Sequence, residues 1–151
     1  MIIVSACLAG INCKYNAGNN YKKEIVELVA SGKAIPVCPE QLGGFTTPRL
    51  KAEIARGTGA DVLESKCSVV RENGEIVTKE FIIGANEVLN IARLVNANKA
   101  ILKARSPSCG VGKIYDGTFT RRQINGNGIT AELLIKNGIN VIKVEDLESG
   151  D

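Results

Sequence analysis

Histidine is absent from the 151 residues, and so is tryptophan. Without an imidazole, no His-based acid–base chemistry and no His metal ligand is available, so protons must be moved by carboxylates, hydroxyls or thiols. With only three Tyr and three Phe, the chain offers few stacking platforms for single-stranded RNA. A dominant charge sign is missing too: 19 basic and 16 acidic residues leave a net charge of +3. The basic residues are scattered, apart from adjacent Arg121 and Arg122, as on a solvated face. A nucleic-acid partner is therefore not expected. No apolar run is long enough to span a bilayer, so no membrane partner is expected either. MIIVSACLAG at the start lacks the basic segment and long apolar core of a secretion signal. It reads as a first strand, and the expected location is cytoplasmic.

What is present in an unusual amount is cysteine: Cys7, Cys13, Cys38, Cys67 and Cys109. An odd number in a cytoplasmic chain speaks against structural disulfides and leaves metal binding, catalysis or burial. None lies in a CxxC pair, which removes zinc-ribbon and thioredoxin-type sites. A phosphatase loop built on Cys7 would need an arginine six positions on to grip phosphate, and Cys13 stands there.

Their placement along the chain carries more. Met1–Ala6 is a short apolar run, followed by the Gly- and Asn-rich CLAGINCKYNAGNN. Tyr21–Ser31 has Ile25, Leu28 and Val29 at helical spacing, with Gly32 as a stop. Ala34–Val37 is a second run leading into CPEQLGG. This is a βαβ unit, which makes the two strands parallel and brings Cys7 and Cys38 to one sheet edge. AEIAR, at residues 52–56, suggests a helical turn. CSVV-RENG-EIVT reads as a hairpin around Glu72-Asn73-Gly74. Thr78–Asn96 is the longest helical pattern, with Thr78 as its cap and a stripe from Phe81 to Leu94-Val95. Lys99–Lys103 is a third strand, ending at Cys109's loop. Tyr115–Phe119 is a turn with β-prone flanks. Thr130–Lys136 is a short helix, Ile139–Val144 a last strand, and the acidic tail is expected to fray. The expectation is a single α/β domain over residues 1–151. It would be a Rossmann-like open sheet, mostly parallel, with helices on both faces and a small β-hairpin insertion.

Three cysteines thus follow three parallel strands, where open α/β sheets bind their ligands. Cys7, Cys38 and Cys109 can hold one metal centre with a coordination position left open, or be small core residues at strand ends. Cys13 is either a fourth ligand or a neighbour of the site, and Cys67 a packing residue.

Beyond spacing, VSACLAGINCKYN, PVCPEQLGGFTTPR with AEI, and LKARSPSCGVGKIYDGTF followed by GNGITAELLIKNGI occur in this order over nearly the whole chain. In these motifs the chain resembles the thiouracil desulfidase family, prokaryotic domain of unknown function 523. The resemblance implies an enzyme with a 4Fe–4S cluster held by Cys7, Cys38 and Cys109, acting on a small thiolated base such as 2-thiouracil. It implies that the fourth iron takes the substrate sulfur, water attacks the carbon, and sulfide leaves by way of a cluster-bound sulfur, soft acid matching soft base. The alternative is a non-catalytic iron–sulfur or sulfide carrier. For proton transfer Glu40, two residues from Cys38, is the first choice, against a cap or surface charge. Ser108 can bond substrate or a cluster sulfide, or close the turn; Ser106 is a weaker version of the same idea. Arg49 and Arg105 can hold a base edge or pair with a carboxylate. Two departures touch substrate identity. Lys14-Tyr15-Asn16-Ala17 stands where the family often has Arg-Tyr-Asp-Gly, and Gly126-Asn127-Gly128 replaces Gly-Asp-Gly. The oligomeric state is left open.

Overall fold

The chain begins with β1 (Ile2–Ser5), whose Ile3 and Val4 are fully buried. A turn of 3-10 helix over Ala6–Ala9 follows, closed by left-handed Gly10 at φ 86°. α1 (Lys23–Ala30) buries Ile25, and β2 (Ala34–Val37) leads into the short helix α2 (Pro39–Leu42), with Pro39 in the first turn. The computed structural model describes residues 1–147.

In place of the helical turn expected at AEIAR, residues Ala52–Ala55 form β3. A short α3 (Gly59–Leu63) follows, announced by a capping box in which Thr58 and Asp61 satisfy each other's backbone N–H. That T-x-x-D signal is legible in the chain. β4 (Ser68–Arg71) pairs antiparallel with β3, and tertiary pairing overrides the weak local helical preference of AEIAR. The turn at Glu72-Asn73-Gly74 is present, with Gly74 at φ 89° and Arg71 N donating to Glu75 O at 2.9 Å. Its return run joins β4 through one bridge, Val70 to Ile76.

The return run stops there because α4 (Thr78–Leu94) begins at once. Thr78 is not this helix's cap, a place held by Val77; the Thr78 hydroxyl accepts the Val69 N–H at 3.0 Å. Phe81, Ala85, Val88, Leu89 and Ala92 face the core, whereas Leu94, expected on that stripe, is 81 % exposed. Two residues beyond Ala92 is about 200° around the helix, which points Leu94 outward.

Next come β5 (Lys99–Leu102), β6 (Lys113–Tyr115), antiparallel β7 (Gln123–Asn125), α5 (Ile129–Lys136), β8 (Asn140–Lys143) and α6 (Val144–Leu147). Of the acidic tail, Glu145–Leu147 are helical, and residues 148–151 lie outside the described residues. β2, β1, β5 and β8 form one parallel sheet in that order. One face packs against α4 and α5 through Val88, Leu89, Ala92, Ala131 and Leu134, and the other against α1 and α6 through Ile25 and Val144. Each large apolar side chain so buried contributes about 1.5–3 kcal/mol. The winding reverses between β1 and β5, so this α/β fold has a topological switch point between the loops carrying Cys7 and Cys109.

Candidate metal centre

Cys7 sits in the turn after β1, Cys38 at the N-cap position of α2 and Cys109 in the loop after β5. All three line one cavity of about 550 Å³ at the carboxyl ends of the strands, together with Cys13, Glu40 and Arg49.

Each loop is held by its own polar residues. Cys7 O accepts from Asn20 N at 2.9 Å, and the loop's other amides cross-link it, Lys14 Nζ and Asn19 Nδ2 donating to Asn20 and Asn12. Ser106 Oγ accepts the Cys109 N–H at 2.7 Å, and Gly110 N donates to Ser106 O, closing the turn that aims Cys109. The Pro107, Ser108 and Gly110 carbonyls accept N–H groups from Gly128, Ile129, Thr130 and Ala131 at the start of α5. Those amides have no partner within the helix, so the cysteine loop serves as its cap.

Arg49 ties the Cys38 loop to the Cys13 loop. Its Nε donates to Glu40 Oε1 at 3.1 Å and its Nη2 to Cys13 O at 2.7 Å. Side-chain exposures of 4 % for Arg49 and 19 % for Glu40 make this a largely buried pair, in which removing one partner strands the other charge. Arg49 therefore takes the carboxylate pairing, one of the two roles open to it.

The four sulfurs differ in ionisation. A hydrogen bond from Cys13 lowers the Cys38 thiol to about 6, with further help from Gln41 N–H and Arg49 against burial. The Cys13 hydrogen bond, with Lys103 and Asn20, likewise lowers Cys7 to about 7. Cys13 keeps its proton, pushed upward by donating to Cys38 and Cys7. One S–H serves one acceptor at a time, and each acceptor has one further donor and one cation beside it, Gln41 N–H and Arg49 for Cys38, Asn20 and Lys103 for Cys7. Burial raises Cys109 to about 12, only partly offset by the Ser5 hydroxyl. Because the thiolate is the nucleophile, iodoacetamide at pH 7 should label metal-free protein at Cys38 and Cys7 ahead of Cys109. Cys109 should be slower by at least about a hundredfold on ionisation alone. Peptide mapping by mass spectrometry reads the order, and equal labelling of Cys38 and Cys109 would contradict it.

Ser108 is not brought into the cavity. It is 1 % exposed, and its hydroxyl shares a 2.8 Å hydrogen bond with the Thr130 hydroxyl. It takes neither role open to it: its hydroxyl ties the loop to α5, the turn is closed by Ser106, and Ser106 and Arg105 do line the cavity. Cys67 lies elsewhere, its Sγ 3.8 Å from Thr58 O. Asn127, where the family pattern has Asp, accepts from Gly112 N at 2.8 Å and donates to Glu132 at 3.0 Å. Ala17, where it has Gly, is left-handed at φ 64°. Missed from the sequence are Glu53, Lys103, Phe119 and Arg121, all on the cavity wall. Their signal was weak, a lone carboxylate in a misassigned segment and a turn read only as a turn.

Among the described residues no three Cys, Asp or Glu side chains are grouped as a single metal ion requires. Tetrahedral ligation at about 2.3 Å per Zn–S bond needs sulfurs nearly in contact. Thiolates of a multi-iron cluster each take a different iron and stand farther apart. Three cysteines from three loops, around an open cavity and without histidine, are a donor set that suits a polynuclear iron–sulfur centre. No helix of the described residues is long and apolar enough to cross a membrane.

The sequence profile of the 2-thiouracil desulfurase family matches residues 2–146. The chain is 48 % identical over 147 residues to YbbK of Bacillus subtilis (strain 168), named as an uncharacterized protein, covering 97 % of each chain. Its structure is similar to the solved structure of TudS, a 4Fe–4S-dependent thiouracil desulfidase. The TM-score is 0.86 and the identity 38 %, over 98 % of this chain and 93 % of that one.

Proposed function

Since the chain belongs to the 2-thiouracil desulfurase family, we propose that its one domain is a 4Fe–4S-dependent desulfidase releasing sulfide from a thiolated nucleobase such as 2-thiouracil. The observation that carries this reading is the meeting of Cys7, Cys38 and Cys109, from three strand ends, on one open cavity.

In this reading those three thiols hold the cluster, with Cys13 as a neighbour. Ligation takes the thiolate form. Cys38 and Cys7 are lowered close to it at neutral pH, whereas Cys109 gives up its proton on binding. Lys103 and Arg49, whose charges act on Cys7 and Cys38, offset the accumulated negative charge. When bound, the cluster supplies an iron not taken by a cysteine, a soft Lewis acid for a thiocarbonyl sulfur.

The net reaction exchanges C=S for C=O. Water supplies the oxygen, and its two protons leave with the sulfur as hydrogen sulfide. Glu40 is the proton-transferring group in this scheme. It lines the cavity beside Cys38 and is oriented by Arg49, whereas Glu53, the more deeply buried carboxylate on the wall, spends an oxygen on backbone amides. A positioned acid–base group contributes about a hundredfold or more.

Anaerobic reconstitution with iron and sulfide should give a brown protein that releases sulfide from 2-thiouracil. Glu40→Gln should keep the colour and lower kcat by about a hundredfold or more. A colourless protein carrying stoichiometric zinc refutes the cluster. A fully loaded protein that releases no sulfide from any thiolated base refutes the enzyme and leaves a carrier.

A further inference from the structure

Glu53 is a carboxylate only 6 % exposed, on β3 and away from the cysteines in sequence. Its Oε1 accepts the N–H of Gly117 at 2.9 Å and of Phe119 at 3.1 Å. A buried carboxylate is costly unless hydrogen-bonded, and here two amides of one loop do that work. The loop is residues 116–122, between β6 and β7. Gly117, Phe119 and Arg121 all have left-handed backbone, at φ 95°, 60° and 68°. Only the first is glycine, and it must be: a Cβ there would stand 2.6 Å from Ile54 O on the same strand as Glu53. Left-handed Phe and Arg are costly, of order 1 kcal/mol or more each, and persist only where their surroundings over-determine them. Here those surroundings are Glu53, the Asp116 carboxylate, which accepts from Thr118 N at 3.0 Å and Thr118 Oγ1 at 2.6 Å, and the Asp116 N to Arg122 O bond at 2.9 Å.

A hairpin needs only two to five loop residues. This one spends seven in a strained path, and the path brings Phe119 and Arg121 to the cavity wall. Resting on the desulfidase reading above, we infer that Glu53 is a positioning residue, clamping this loop so that Phe119 forms the aromatic wall against which the flat ring of the thiolated base lies. Base–aromatic stacking is worth about 1–3 kcal/mol. That is enough to set substrate affinity and too little to hold the fold, so the role shows in KM more than in kcat.

The test uses reconstituted enzyme and 2-thiouracil. Glu53→Ala should raise KM about tenfold, equivalent to about 1.4 kcal/mol, with kcat within about twofold. Trypsin should cut faster after Arg121 and Arg122 as the loop is released. Glu53→Gln retains an amide oxygen able to accept both N–H groups, and should restore KM and tryptic resistance alike. Phe119→Ala, with the clamp intact, should raise KM by a similar factor without faster cleavage. Faster cleavage of Glu53→Ala at unchanged KM makes the clamp purely structural and overturns the inference, as does cleavage equal to the parent protein's. If Glu53→Ala does not fold, Phe119→Ala decides: an unchanged KM overturns it. Should the loaded parent protein release no sulfide at all, it is the desulfidase reading that fails. The clamp is then judged on tryptic rates alone, faster for Glu53→Ala and normal for Glu53→Gln.

Discussion

Replacing Cys109 with alanine is expected to leave the protein folded and unable to retain its cluster. After anaerobic reconstitution, iron should fall to background, and sulfide release from 2-thiouracil should fall with it. The fold should survive because the side chain lost is small. Truncating the buried –CH2SH to –CH3 leaves a void worth about 1 kcal/mol. The loop's anchors are backbone groups and Ser106, which the change does not touch. The ligand should be lost because nothing else can take its place. No histidine exists in the chain, Cys13 is turned toward Cys7 and Cys38, and Ser108 points to Thr130. Cys67→Ala is the control, removing a thiol outside the cavity, and should load fully. A Cys109→Ala protein with the parent's iron content would remove Cys109 from the ligand set.

Gly84→Ala is expected to be among the most damaging single-methyl additions, although the usual rule points the other way. Alanine in a helix interior is better than glycine by about 1 kcal/mol. Gly84, however, is where α4 crosses α2. A Cβ there would overlap the Pro39 carbonyl oxygen, and would stand 2.9 Å from the Pro39 carbonyl carbon and 3.2 Å from Gly43 N. All of these are backbone atoms of a short helix, so no side chain can swing aside and the helix itself must shift. Gly43 answers from the other side, where a Cβ would overlap the Glu80 carbonyl oxygen. Overpacking of this kind costs about 3 kcal/mol, well beyond the propensity gain. Net of the propensity gain the loss is about 2 kcal/mol, so at about 2–4 °C per kcal/mol for a chain of this size the melting temperature should drop by about 4–8 °C. The displaced helix carries Cys38 and Glu40 with it, so iron loading should fall as well. A melting temperature equal to or above the parent's would show that the helices separate freely.

The parallel sheet was readable because each of its strands is a short apolar run bounded by turn residues, and chain order alone brings three cysteines to one edge. What stayed hidden depended on distant partners. AEIA becomes a strand only because β4 offers an edge. Glu53, an unremarkable carboxylate in sequence, acquires meaning only when a loop more than sixty residues later folds over it. Ser108 looked the stronger candidate on paper, yet the fold sends it into the core against Thr130 and leaves Ser106 at the Cys109 amide on the cavity wall. Leu94 looked like the end of an apolar stripe because adjacent Val95 blurred the phase. Cys13 could not be placed from spacing at all, since its Asn-rich loop is organised by turn bonds and side-chain amides that have no repeating pattern.

The contact between the Cys109 loop and the start of α5 bears on how the molecule breathes. Four amides from Gly128 to Ala131 end on carbonyls of residues 107–110, so neither segment can open alone without exposing unpaired polar groups. They form one cooperative unit of local unfolding, anchored to the central strand β5. The Cys7–Asn20 and Cys38–Arg49 loops are instead joined to each other, Arg49 N donating to Tyr15 O and Arg49 Nη2 to Cys13 O, both at 2.7 Å, and form a second unit. A metal centre assembled here would thus draw its ligands from two separately tied units, Cys109 from the first and Cys7 with Cys38 from the second.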